Sequence, residues 1–140
     1  MDPTQKDQLS DLTNSVQVAT SLYHYVNAFN ARDQLAMARV FAEDLLTIHP
    51  SEPEVDADRA EPFLVRMRKL WDRDISYRLL RTISHGDINQ YGEVWGELVA
   101  LNSDHSPLAS EVVIYRIKNG LVFEICIYKL MGPTHPAYQS

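Results

Sequence analysis

Apolar residues recur at three- and four-residue steps early in the chain and at two-residue steps later, a change of period that predicts helices followed by a meander of strands. Val16, Ala19, Tyr23, Val26 and Phe29 share one helical stripe, with Asn30 competing for its last place and Tyr25 beside it. A helix is predicted over 11–30, behind a polar leader at 1–9. Asp33 can cap a second helix over 34–41, in which Ala36, Met37, Val40 and Phe41 share a face. Leu45 to His49 suits a short strand, and Pro50 biases His49 to an extended backbone. The acidic stretch 50–58 reads as a loop, either a solvated connection or a lid. A third helix starts around 58–62, with Asp58 and Glu61 at capping-box spacing. Phe63, Met67, Leu70 and Trp71 form its apolar face, and Arg66, Arg68, Lys69 and Arg73 read as a solvated one.

From Ile75 the alternation is that of strands. Ile75, Tyr77 and Leu79 alternate with Ser76 and Arg78 in a strand ending near Ser84, and residues 85–89 carry turn chemistry. The strand at 90–101 sets Tyr91, Glu93, Trp95 and Glu97 on one side and Gly92, Val94, Gly96 and Leu98 on the other. Its pattern leaves open which side meets a pocket, and the two glycines suggest a bulge or sharp curvature. A strand at 109–117 and an Asn119-Gly120 hairpin turn lead to a last strand, 121–130, that is apolar on nearly both faces. Helices can cover one of those faces, and a second subunit covering the other predicts a homodimer through the sheet. The whole of 1–140 reads as one domain, closing in a short tail at 132–140.

Composition narrows the partners. A formal charge of −6 opposes binding to nucleic acid or to an anionic membrane surface, and a small organic ligand is the expected partner. With 140 residues, 45% of them apolar, a sizeable core is expected without disulfide staples. The single cysteine, Cys126, lies in an apolar strand pattern and fits a reducing, cytoplasmic setting. His24, His49, His85, His105 and His135 show no ligand spacing, so no metal is expected, and no phosphate loop or nucleophile elbow occurs. An acid/base site working without a cofactor is the remaining expectation.

The segment YVNAFNARD, followed by VFAEDLLTIHP, resembles the opening signature of the nuclear-transport-factor-2-like superfamily, in the style of SnoaL-like polyketide cyclases and steroid delta-isomerases. The resemblance extends in element order over nearly the whole chain. It implies an α+β fold: a cone-shaped α+β barrel with three N-terminal helices packed on a curved mixed or antiparallel sheet around one deep apolar pocket. It also places Tyr25 where the isomerases hold an oxyanion and His49 where they carry a general-base aspartate. A neutral imidazole can accept a proton near neutrality, so the exchange keeps base chemistry available. Against the pattern, the isomerases' protonated aspartate falls on Val113, flanked on its face by Glu111 and Tyr115. The acidic position near the end of the cyclases' last strand reads Lys129 or Leu130, and the arginine with two aspartates of limonene epoxide hydrolases is not evident.

The resulting candidates are Tyr25 and His49 for catalysis, and Trp71, Trp95, Glu111, Val113, Tyr115, Ile125, Ile127 and Lys129 for substrate binding. For each there is a plainer alternative: a hydrogen-bonding strand histidine, a core tyrosine, aromatics packed in the core or a dimer contact, and a glutamate at the exposed start of a strand. The expected function is an isomerase or cyclase acting on a small apolar polyketide-, terpenoid- or steroid-like intermediate. The same scaffold also suits a dehydratase, an epoxide hydrolase or a non-catalytic ligand-binding or assembly subunit.

Overall fold

Asp2 starts the first helix. Its carboxylate accepts from the Gln5 amide at 2.8 Å, and the Gln5 side chain accepts from the Asp2 amide at 3.2 Å, so helix α1 spans Pro3–Asn30. Residues expected as a leader therefore form the first turns of α1, because a capping box lies earlier than the apolar pattern begins. This computed structural model describes residues 2–51 and 60–130. The acidic loop from 52 onward, the Asp58–Glu61 cap and the tail at 132–140 lie outside the described residues.

The remaining elements are α2 (Gln34–Arg39), β1 (Phe41–Ile48), α3 (Ala60–Asp72), β2 (Ser76–Gly86), β3 (Tyr91–Leu101), β4 (Pro107–Lys118) and β5 (Leu121–Lys129). They make an α+β architecture in which the helices cover a five-stranded mixed sheet of order β1-β5-β4-β3-β2. β1 runs parallel to β5, and every other neighbouring pair is antiparallel. Phe41 opens β1 and does not end α2. The chain turns at Val40, whose carbonyl accepts from the Val122 amide at 2.8 Å and so draws β1 alongside β5.

The buried stripe of α1 is Val18, Leu22, Tyr25, Val26 and Phe29, whereas Val16 and Tyr23 of the expected stripe are about half exposed. Both sets have helical spacing, and the sheet decides between them. A Cβ on Gly92 would stand 2.6 Å from Val18 Cγ2, and one on Gly96 would stand 2.3 Å from Leu22 Cδ2. The glycines are thus seats for α1. The sheet register runs unbroken past them, and its irregularities fall at Phe41/Leu46, Leu79/Arg81, Ala100/Leu101 and Arg116/Ile117 instead.

Two polar clamps hold α1 along β2. Ser15 Oγ donates to the Ser84 carbonyl at 2.7 Å, and the Asn30 amide both donates to the Tyr77 carbonyl and accepts from the Tyr77 amide, each at 2.8 Å. Between the clamps, alternation turns Val94, Leu98 and Ala100 of β3, Ala109, Val113 and Tyr115 of β4, and Ile125 and Ile127 of β5 inward. Their shared concave face is the core.

Candidate active site

The core is hollow at one end. β1 and β5, being parallel, both finish there, while β2 and β4 begin there, and α3 lies across the opening. The cavity between them has a volume of about 270 Å³. Its lining includes Tyr25, His49, Glu111, Val113, Tyr115, Ile125, Ile127 and Lys129, contributed by α1, the end of β1, β4 and β5. Most of the lining is apolar, as in small-molecule sites generally.

The floor carries a chain of weak-ended donors. The Tyr25 and Tyr115 rings meet edge to face, 5.1 Å between centroids and inclined by 68°. The Tyr115 hydroxyl interacts with that of Tyr25, and Tyr25 Oη donates to Met67 Sδ at 3.3 Å. A thioether is a poor acceptor. Burial, and secondarily the nearby Glu111 charge, hold the Tyr25 phenol above its ordinary range despite the opposing Tyr115 bond. Burial does the same for Tyr115, reinforced by Tyr25. Both phenols therefore stay protonated and act as donors. Glu111, read from sequence as either a buried acid or an exposed strand start, is 7% exposed and shares the Tyr115 face.

His49, only 7% exposed, lies 3.3 Å through Nε2 from Arg66 Nη1. A guanidinium has donors only, so in this contact Nε2 can serve only as the acceptor. Arg66 and Arg73 both line the cavity; Arg66 is half-buried there, which corrects its sequence assignment to a solvated face, while Arg73 is exposed as expected. Arg66 follows Phe63 by three residues and Arg73 follows Leu70 by three, a spacing that places each on the margin of the apolar face. Tyr77, which alternation places on the same strand face as Ile75, also lines the cavity.

Two expected lining residues are elsewhere. Trp71 packs on Phe29 with ring centroids 5.6 Å apart, under the Arg32 guanidinium at 5.9 Å, because Met67 and Leu70 take the cavity side of α3. Trp95 points to the convex face, 45% exposed, because its strand turns the opposite, glycine-bearing side to α1. Its indole donates to Glu93 Oε1 at 2.5 Å. Among the described residues, no group of three or more His, Cys, Asp or Glu side chains could hold a metal ion.

No family model and no curated protein matches the sequence. Solved structures do match in shape. An NTF2-like protein of unknown function from Cytophaga hutchinsonii aligns with TM-score 0.62 at 13% identity, over 83% of this chain and 90% of its own. The fold is NTF2-like. A candidate ketosteroid isomerase from Kribbella flavida shares this NTF2-like cone with TM-score 0.65 at 17% identity, covering 88% of this chain and 84% of that one. A candidate polyketide cyclase from Xanthomonas campestris pv. campestris does so with TM-score 0.59 at 13% identity, covering 82% and 91%. At these identities the likeness fixes the NTF2-like architecture and leaves the reaction to the residues in the cone. No described helix is long and apolar enough to cross a membrane.

Proposed function

We propose that the chain is an acid/base enzyme working without a cofactor, an isomerase or cyclase whose substrate is a small, largely apolar polyketide-, terpenoid- or steroid-like intermediate. The Tyr25–Met67 hydrogen bond at the cavity floor carries this reading. Tyr25 donates to a weak sulfur acceptor, so a substrate carbonyl oxygen competes readily for that hydrogen bond, and the Tyr115 ring, edge to face with Tyr25, holds the phenol in place. As the adjacent carbon loses a proton, negative charge grows on that oxygen and the hydrogen bond tightens, lowering the barrier.

His49 is the group that takes the proton. As a neutral imidazole it offers a lone pair on Nε2, the atom 3.3 Å from Arg66 Nη1, once a substrate takes the place of that contact. In an isomerisation the imidazolium returns the proton to a second carbon and the carbonyl is restored. In a cyclisation the enolate carbon attacks a second carbonyl carbon of the same molecule, which the enclosed walls hold nearby; its π bond opens to an alkoxide that takes the proton back from the imidazolium. Dehydration and epoxide opening draw on the same donor and base.

The test uses conjugation of a β,γ-unsaturated ketone, followed by ultraviolet absorbance. Tyr25→Phe and His49→Ala each lower turnover by ~10²–10⁴, with circular dichroism unchanged. Wild-type turnover in either variant overturns that residue's role. The reading also includes a homodimer through the convex face of the sheet, supported by exposed Ile83, Tyr91 and Trp95 on that face.

A further inference from the structure

The hydroxyl at the cavity floor rests on sulfur. Tyr25 Oη donates to Met67 Sδ at 3.3 Å, and both side chains line the same cavity. A thioether is a soft, weak acceptor, and a two-electron oxidant converts it into a polar group with a strong one. Of the four methionines in the chain, Met1 and Met131 lie outside the described residues. Met37 is 0% exposed, in the core and not in the cavity lining. Met67 is 5% exposed and borders a void of about 270 Å³, roughly nine water volumes, where a small peroxide needs about two. The two described methionines therefore differ in what can reach their sulfur.

We propose that Met67 is an oxidation site, at which a small peroxide turns the thioether into a sulfoxide that ties up the Tyr25 hydroxyl. The sulfur lone pair attacks one peroxide oxygen and the O–O bond breaks. Sulfur loses two electrons and keeps that oxygen, while the other oxygen takes up the proton and departs as water. The product suits its surroundings. A sulfoxide oxygen among apolar groups is costly unless it is hydrogen-bonded, and the Tyr25 donor is already aimed at this sulfur. With the new oxygen about 1.5 Å from sulfur and an O–H···O separation of about 2.7 Å at a bent angle, Oη sits roughly 3.5 Å from sulfur. The 3.3 Å contact thus converts with a small shift. Tyr25 exchanges a weak partner for a strong one, and a substrate carbonyl no longer displaces it. The effect on turnover rests on the role given to Tyr25 above, whereas the place of oxidation does not.

The experiment exposes the folded protein to graded hydrogen peroxide, with peptide mass spectrometry locating each added oxygen. Met67 gains oxygen before Met37 does, while circular dichroism stays unchanged. Ultraviolet Raman difference spectra, oxidised against untreated, show one tyrosine moving to a stronger acceptor, and that change is missing in Tyr25→Phe. Turnover of the β,γ-unsaturated ketone falls at least about tenfold in step with the Met67 sulfoxide, the effect of about one good hydrogen bond. Met67→Leu, compared with its own untreated sample, keeps its turnover at the same dose. The wild-type spectra decide the matter even where that variant fails to fold. Oxidation of Met37 first, Met67 sulfoxide without the tyrosine shift, or an equal loss of turnover in Met67→Leu overturns the proposal. An untreated protein without turnover that still undergoes both spectroscopic changes removes the acid/base reading and leaves the oxidation site standing.

Discussion

The two faces of one sheet treat polar residues in opposite ways. On the convex side Arg116 of β4 donates to Glu93 of β3 at 3.1 Å, to Glu124 of β5, and to Cys126 Sγ at 3.2 Å. Glu93 also receives Trp95 at 2.5 Å and Tyr91 at 3.3 Å, with His85 at 3.7 Å. Charge answers charge across three neighbouring strands, and such cross-strand pairing fixes register without a ligand. Burial pushes the Cys126 thiol up, which makes it a poor nucleophile. On the concave side the polar groups, Tyr25, His49, Glu111 and Tyr115 among them, border a void. The polar network that ties strands to one another is thus the structural face of this sheet, and the one that borders a cavity is the chemical face.

The sharpest way to break this comparison is to charge the convex face. With Ile83 72% and Trp95 45% exposed, and register partners on β2 and β3, the two side chains form one patch. Aromatic residues of that kind anchor protein interfaces, where a lost anchor costs 2 kcal/mol or more, about 30-fold in affinity. Ile83→Glu with Trp95→Glu accordingly converts a dimer into a monomer in sedimentation velocity, while turnover at the concave site is retained. A wild-type protein that sediments as a monomer at all concentrations removes the convex face from the dimer proposal. Loss of turnover on charging this face would instead show that the two faces are coupled.

The same contrast explains what the sequence could disclose. The element order, the Asn119-Gly120 hairpin turn and the inward positions Val113, Tyr115, Ile125 and Ile127 follow from period and turn chemistry, which are local. The facing of β3 is not local. Tyr91, Glu93, Trp95 and Glu97 look as suited to a pocket as their neighbours do, and only the close approach of Val18 and Leu22 to Gly92 and Gly96 settles the matter. For the same reason the stripe of α1 was read one step around the helix, through Val16 and Tyr23, which the structure leaves exposed. Arg66 was hidden because a residue at the edge of a helical stripe belongs to either face until a neighbour with a cavity is known.

The glycine seats give the next effect in size. Gly92→Ala places a methyl 2.6 Å from Cγ2 of fully buried Val18, a branched side chain with few alternative rotamers. Overpacking of this kind costs about 1–3 kcal/mol, so the melting temperature falls by several degrees. Shortening the partner relieves the clash: Gly92→Ala with Val18→Ala recovers part of the loss, a non-additivity that a double-mutant cycle reads directly. Equal stability of Gly92→Ala and wild type would mean that the glycine serves curvature alone.

The smallest effect belongs to the convex network, and it depends on pH. The Trp95 hydrogen bond, followed by those of Arg116 and Tyr91, holds the Glu93 carboxyl below its usual range in spite of partial burial. A carboxylate whose folded value is depressed binds protons more readily when unfolded. Its contribution is present above the unfolded carboxylate range, near pH 4.3, and is lost as pH falls through the lower folded value. Glu93→Gln therefore lowers stability at pH 7, by about 1 kcal/mol or less for a pair within reach of solvent, and the two denaturation midpoints converge as the pH drops below 4. The neighbouring acid Glu124 keeps Arg116 paired in the variant, which limits the loss. A gap between the two proteins that persists unchanged into acid would assign the effect to packing of the Gln side chain and not to the charge at Glu93.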